Sequence, residues 1–497
     1  MDTGFRRRRC REDGYTFESC HNRRKLRLDI IRKGATLFLC LALLLTGCSG
    51  KNSRKTDENL VIETSGNNNY TSETETKEPE ELTTENIISE DITEEATTES
   101  IDVVDNGDVS NYGYVIPELN YASKNIPDNQ SMKFAQGMKI GWNLGNTFDG
   151  YTDNPWFEGE LLYESAWCGI ITTPEMIKAV KDAGFNTIRI PVSWHNHVSG
   201  EDYVISEEWM NRVQEVVDYA IELDMYVIIN THHDIFSGNE QGSLGQCFIY
   251  PSYEYYETSK AYLTSVWTQI SERFKDYDEH LIFESMNEPR LTGTTYEWWM
   301  DAYSDECNEA VDCINMLNQD FVDVVRSSGG NNPERYLLIP GYCSSYDGAT
   351  HINFKLPQDT AKDKLMVVVH AYTPYSFALQ SEQDNGSEST FDVSDSTDTQ
   401  EIEYIMSSLY DKYISKGIPV IIDEFGARRK TSSADMDNTQ ARINYAAYYI
   451  AIARANGIIC CWWDNNSFNS EGEDFGLLNR AGLIWSYPDI VKALMTY

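Results

Sequence analysis

The chain has 497 residues, 41% of them hydrophobic, with 79 acidic against 40 basic side chains and a formal net charge of −39. The apolar fraction is enough for a sizeable core, and the length holds one large domain or a few ordinary ones. So acidic a balance repels nucleic acid and acidic membrane surfaces and is compatible with a neutral ligand.

In chain order, residues 1–33 carry eleven Lys or Arg against five Asp or Glu, and Ala35 to Leu45 is an apolar run. That run is too short to span a bilayer comfortably, and a basic segment before it describes an export signal. Leu45-Thr46-Gly47-Cys48 has the form of a bacterial lipobox, so 1–47 is expected to be removed and Cys48 to carry lipid. The membrane would then be met only through this anchor, at the outer cell surface or, if released, outside the cell; an uncleaved signal anchor is the alternative. Residues 48–115 form the next unit. Between Asp57 and Glu118 there are eighteen acidic side chains and one basic, Lys77. Such a segment cannot bury enough apolar surface to offset chain entropy and is expected to be a disordered, self-repelling tether, or a solvated stretch with no role. Of the eleven cysteines, Cys10, Cys20 and Cys40 precede the cleavage point. Cys168, Cys247, Cys307, Cys313, Cys343, Cys460 and Cys461 are scattered and odd in number, with no CxxC pair, so no structural zinc is expected. A Cys307–Cys313 pairing stays open.

From Ile116 to Tyr497 short apolar runs alternate with longer amphipathic ones. Strands are expected around 139–143, 187–192, 226–231, 281–285, 336–339, 366–370, 420–423 and 458–462. Their near-continuous hydrophobicity fits strands covered on both faces. Helices lie between them; Thr173 is a good N-cap, Pro174 suits the first helical position and Gly184 the stop. Eight β-then-α units make an α/β fold, a (β/α)8 barrel with enlarged loops. A doubly wound open sheet would want a glycine-rich phosphate loop after an early strand, and none is present.

Two segments share one grammar. Leu281-Ile282-Phe283-Glu284-Ser285-Met286-Asn287-Glu288-Pro289 and Ile418-Pro419-Val420-Ile421-Ile422-Asp423-Glu424-Phe425-Gly426 each end a buried apolar run on a glutamate. Proline after Glu288 stops the ladder and hands the carboxylate to the end of a rigid element. Barrel enzymes keep their chemistry at those strand ends, and a pair of carboxylates there suits glycoside hydrolysis. The other strand ends are polar and aromatic: Asn143, Arg189, His232 and His233, His370 and Tyr372, Trp462 and Trp463. Arg189 could equally be a buried structural ion pair. Strand neighbours face opposite ways, so one of Trp462 and Trp463 is expected in the core, and at most one of His232 and His233 in the site.

Together Gly141-Trp142-Asn143-Leu144-Gly145-Asn146, Arg189, His232-His233, Asn287-Glu288-Pro289, His370-Ala371-Tyr372, Asp423-Glu424-Phe425-Gly426 and Trp463-Asp464-Asn465 resemble glycoside hydrolase family 5. The resemblance covers about Met132 to Tyr497 and is strongest to bacterial endo-β-1,4-glucanases, the branch that includes xyloglucanases and lichenases. It implies a retaining double displacement on a β-glucan polysaccharide, with Glu288 as general acid/base and Glu424 as nucleophile. Asn143, Arg189, His232, His233, Asn287, His370, Tyr372 and Trp463 would bind substrate, Asn287 through the sugar 2-hydroxyl and Trp463 as a stacking floor. Glu288 would have a raised pKa, while Arg189 and Tyr372 keep Glu424 ionised. No cofactor or metal is implied, and a monomer is expected. Cys168-Gly169-Ile170 departs from the family's usual Gly-Asn-Pro, which bears on fine specificity. So do two cleft loops, Phe248–Tyr256 and Ser381–Gln400, and the same fold and mechanism acting on xylan or glucomannan is the alternative.

Two rivals come from other classes. His195-Asn196-His197 with His232-His233-Asp234 offers ligands for a metal-dependent barrel hydrolase. A non-catalytic surface glycan-binding protein would share the export signal, tether and aromatics, but has no need of both Glu288 and Glu424.

Overall fold

The structure is a computed structural model that describes residues 113–152, 157–235, 248–431, 437–468 and 472–497. The export signal, Cys48, Cys247 and nearly all of the tether lie outside the described residues. Eight parallel strands close into a barrel: β1 Ile140–Leu144, β2 Thr187–Ile190, β3 Tyr226–Asn230, β4 Leu281–Glu284, β5 Leu337–Pro340, β6 Leu365–His370, β7 Val420–Phe425 and β8 Ile459–Asp464. Each pairs with its sequence neighbours, and β1 closes the ring on β8 through Ile140 with Cys460 up to Leu144 with Asp464. Every expected strand is present, with ends shifted by one or two residues.

Helix α1, Gln130–Gly137, precedes the barrel; α2 Pro174–Asp182, α3 Glu207–Ile221, α4 Tyr256–Phe274 and α5 Asp305–Ser327 follow β1 to β4. After β5 a short turn of helix, Tyr346–Thr350, takes the fifth place, and α6 Ser396–Lys412, α7 Thr439–Ala455 and α8 Pro488–Thr496 complete the ring. Helix α2 is bounded as its sequence directs. Thr173 accepts a bond from the Met176 N–H, Pro174 stands first, and Gly184 at φ 106° ends the turn in a conformation that a side chain would strain.

Two buried layers fill the interior of the barrel. The lower is apolar: Phe134 from α1 and Met138 just after it pack on Ile228, Ile282, Leu338, Met366, Val368, Ile421 and Ile459. The upper is polar and described below. A strap before α1 lies along α7, with Val115 N–H on the Gln440 side chain in its first turn and Lys124 N–H on the Ala455 carbonyl at its end. Cys307 and Cys313 are both free thiols, so the pairing left open above does not form. No helix of the described residues is long and apolar enough to cross a membrane.

Candidate active site

Beneath the barrel mouth lies a desolvated ionic layer centred on Arg189, the third residue of β2. Its Nε and Nη2 fork onto Glu284 at 2.6 and 2.9 Å, Nη1 donates to Glu424 at 2.6 Å and to Asn143 at 3.0 Å, and Nη2 also reaches Asn287 Oδ1 at 2.8 Å. Asn143, Arg189, Asn230, Glu284 and Asp423 are all 0% exposed. Asn143 donates to the Asp423 and Trp462 carbonyls, tying β1 to β7 and β8. Asn143 and Arg189 were expected to touch substrate. They sit a layer too low, their polar atoms taken up by protein partners, and act on the cleft through Glu424 and Asn287.

Above this layer opens a cleft of about 1030 Å³, lined by His232, His233, Asn287, Glu288, His370, Tyr372, Glu424 and Trp463 among others. Six of the eight expected binding residues and both glutamates therefore share one cavity. Glu424 holds one oxygen on Arg189 and the other on the Tyr372 hydroxyl at 2.9 Å. Glu288 accepts from His370 Nδ1 at 2.8 Å, and Arg290 stands 3.5 Å from its other oxygen. A carboxylate oxygen of Glu288, a His370 nitrogen and a carboxylate oxygen of Glu424 lie within 4.8 Å of one another. With Asn287 Oδ1 committed to Arg189, its amide NH2 is the group left for a ligand oxygen.

Trp463 faces the cleft while Trp462 is wholly buried, as alternation along β8 requires. The Trp463 ring lies parallel to His232, centroids 6.0 Å apart, and a Cβ on Gly145 would stand 2.8 Å from it, which explains the glycine at that place. Both His232 and His233 reach the cleft, against expectation. β3 ends at Asn230, so the two-residue alternation no longer governs them. Burial pushes His232 well below the usual imidazole range and His233 down to about 4, so both are neutral donors or acceptors at neutral pH.

The ionisation order is the reverse of the one expected. Burial would raise the Glu288 carboxyl, but the hydrogen bond and charge of His370 bring it to about 2. Burial raises Glu424, more than His370 and Arg189 lower it. His370, despite its burial, is carried well above the usual range by Glu424, Asp423 and Glu288 around it. Both shifts favour the shared proton on His370, one hydrogen bond from Glu288.

Sequence reasoning overlooked several residues here. Glu284 and Asp423 complete the ionic layer; an acid inside an apolar strand, facing an arginine two strands away, was the available signal. Arg290 stacks on Trp298 at 4.0 Å, and Trp298, Trp299, Tyr375 and Tyr404, all more than 40% exposed, extend the cleft wall. Trp167, just before the departing Cys168, lines the cavity too, with Asn146 and Asp149. Ser381 and Asp384 from the long polar loop line it too, whereas Phe248 packs between His195 and Tyr262 and no residue of Phe248–Tyr256 does. The groups that could hold a cation among the described residues are Asp149 with His232 and His233, Glu284 with His370 and Asp423, and Glu288 with His370 and Glu424. The metal-hydrolase reading needed His197 in such a group; it instead stacks on Trp209 and bonds Glu160 at 2.8 Å.

A closed parallel barrel that gathers two carboxylates this near to each other, at its strand ends and under an aromatic-walled cleft, defines a barrel glycoside hydrolase. The comparisons with known proteins make the class specific. The family model for cellulase (glycosyl hydrolase family 5) matches residues 144–469, and the chain belongs to that family. It is 41% identical over 365 residues to endoglucanase A of Clostridium longisporum, a match covering 73% of this chain and 65% of that protein. Among solved structures it resembles a family 5 lichenase from Caldicellulosiruptor sp. F32 in complex with cellotetraose, at 54% identity and TM-score 0.74, covering 77% of this chain and 99% of that one. A xyloglucan-specific endo-β-1,4-glucanase from a metagenomic library is 36% identical with TM-score 0.64, covering 73% and 98%.

Proposed function

We propose that this chain is a retaining, endo-acting β-1,4-glucanase that cuts neutral β-glucans, namely soluble cellulose derivatives, mixed-linkage β-glucan and xyloglucan. The observation that carries the reading is the approach of the Glu288 and Glu424 carboxylates to within 4.8 Å, as direct attack on the anomeric carbon requires. A separation of ~6.5–9.5 Å would instead leave room for a water and predict inversion. The cleft is walled by exposed aromatic rings, Trp167, Trp298, Trp299, Tyr375 and Tyr404, which suits binding along a sugar chain. The lichenase, endoglucanase and xyloglucanase relatives support the substrate class.

Glu424 is the nucleophile and Glu288 the acid/base. As a Glu424 oxygen bonds to the anomeric carbon, the leaving oxygen takes the bonding pair and a proton from Glu288, which is replenished from His370. Net charge is conserved: Glu424 becomes a neutral ester and His370 a neutral imidazole. Water then attacks the ester with Glu288 as base, the proton returns to His370, and Glu424 leaves as carboxylate. Asn287 donates its amide to the 2-hydroxyl, and Trp463 supports the sugar face. Residues 1–47 are proposed to export the chain, Cys48 to carry its lipid anchor, and 48–115 to tether a monomeric catalytic domain spanning 116–497.

Reducing-sugar release from a panel of purified polysaccharides tests the activity, and proton NMR of the first-formed anomer tests retention. An α-anomer appearing first from a β-glucan would reject the mechanism. Release by the wild type but not by a Glu288→Gln, Glu424→Gln double variant is the expected result.

A further inference from the structure

Glu284 closes β4, four residues before Glu288, and is 0% exposed beneath the cleft. Its Oε2 accepts from Arg189 Nε, and its Oε1 from Arg189 Nη2 and from Asn230 Nδ2 at 3.1 Å. A guanidinium has five N–H groups in one plane. Here all five are placed: two on Glu284, one on Asn287 and two on Glu424 and Asn143. The fork onto Glu284 sets the plane and roll of Arg189, so a single N–H meets Glu424. A competing anion waits beside it. Asp423 Oδ2 is 3.3 Å from Arg189 Nε, while its Oδ1 is 3.3 Å from His370 Nε2.

We propose that Glu284 is a positioning residue for the reaction: it divides the charge of Arg189 and fixes its orientation, so that Glu424 is held without being quenched. This rests on the reading of Glu424 as nucleophile. Without the Glu284 anion, a buried guanidinium turns its full charge on the acids that remain, Glu424 and Asp423. A carboxylate bound that tightly attacks poorly. Forming the ester takes a lone pair from Glu424 and is slowed; breaking the ester returns the pair to Glu424, and a better-stabilised carboxylate leaves at least as fast. The two halves of the reaction therefore respond differently. The groups facing Glu284 are Arg189 from β2, Asn230 from β3, His370 from β6, Asp423 from β7 and the Cys461 thiol from β8. Burial raises the Glu284 carboxyl, and the charge of Arg189 with its fork of hydrogen bonds opposes that rise.

The experiment is steady-state and burst kinetics of Glu284→Gln in the full chain, using aryl β-cellobiosides with a good and a poor leaving group. Turnover of the dinitrophenyl glycoside, limited by ester breakdown, is expected to stay within about twofold of wild type, while the phenyl glycoside loses about tenfold or more. The acid limb of kcat/KM is expected to move to lower pH, because Glu424 then faces an undivided cation. Equal losses on both glycosides with an unmoved acid limb would reduce Glu284 to packing and overturn the inference, as would unchanged kinetics. If Glu284→Gln does not fold, Glu284→Asp keeps the charge but withdraws it by one methylene. It should slow the phenyl glycoside and leave the acid limb in place; wild-type rates on that substrate would overturn the inference. Trapping the wild type with a 2-fluoro cellobioside separates the two readings. A label on a residue other than Glu424 sinks the nucleophile assignment itself, whereas a label on Glu424 with equal losses sinks only the role of Glu284.

Discussion

The lower and upper halves of the barrel interior are built by the same strands to opposite rules. β3 points Ile228 into the floor and Asn230, two residues on, into the ionic layer; β4 does so with Ile282 and Glu284, and β7 with Ile421 and Asp423. The two-residue period keeps each pair on one face, so only the residue type changes at a common height. Below that height, burial itself stabilises at about 25 cal/mol per Å² of apolar surface. Above it, burial costs several kcal/mol per ion and is offset only where partners are placed well, as between Arg189 and Glu284. The floor holds the barrel closed, and the layer spends part of that stability on aiming Arg189, Glu424 and Asn287.

Substitutions in the two halves should therefore separate turnover from stability. The largest effect is expected from Glu424→Gln, which should cost ~10⁴-fold or more in kcat while the melting temperature stays at or above that of the wild type. A variant keeping most of its kcat would remove Glu424 from the chemistry. Glu288→Ala should lose ~10²–10⁴-fold on poor leaving groups and far less on activated ones, read as kcat on paired aryl glycosides.

His370→Asn comes next and is read by pH. The raised His370 contributes stability that is present below the ordinary histidine value of 6.5 and is lost as pH rises through its higher folded value. The depressed Glu288 contributes stability that is present above its ordinary 4.5 and is lost as pH falls toward about 2. The wild type should thus be most stable between those ordinary values. The variant should lose both slopes, and its basic limb of kcat should move to lower pH, since Glu288 must then hold the proton itself. An unmoved basic limb would place the proton elsewhere.

Smaller effects belong to the cleft wall and the floor. Trp299→Ala, at an exposed ring paired edge-on with Tyr375 at 5.8 Å, should raise KM on polysaccharide by a factor of ~5–10 with kcat nearly unchanged. Ile228→Val should cost about 0.5–1.5 kcal/mol of unfolding free energy, measured by denaturant, and leave kcat of the folded enzyme as it was.

The fold was legible because parallel strands covered on both faces read as apolar runs, and eight of them with helices between admit few closures. The carboxylates and most of the cleft were legible because strand ends are where a run of Ile, Val and Leu gives way to polar residues. Asn143 and Arg189 were found but placed a layer too high, since sequence carries no depth along the barrel axis. His233 was misjudged because alternation was carried past the end of β3. Glu284 was passed over as one polar step in an apolar strand, although its partner Arg189 had been noticed. The resting place of the proton was not legible at all. It depends on Glu288 from the loop after β4 and Asp423 and Glu424 from β7 converging on His370, and no linear pattern records that meeting.

The strap before α1 brings the first described residues to the mouth end of the barrel, because Val115 is clipped to the opening turn of α7 and the chain descends from there to Lys124. The strap thus starts beside the rim and runs down the outside of α7. The trailing end meets the same strap, the Tyr497 hydroxyl accepting from the Leu119 N–H and donating to the Pro117 carbonyl. An affinity handle fused behind Tyr497 must therefore leave that hydroxyl in place, since it pins the strap between its two ends.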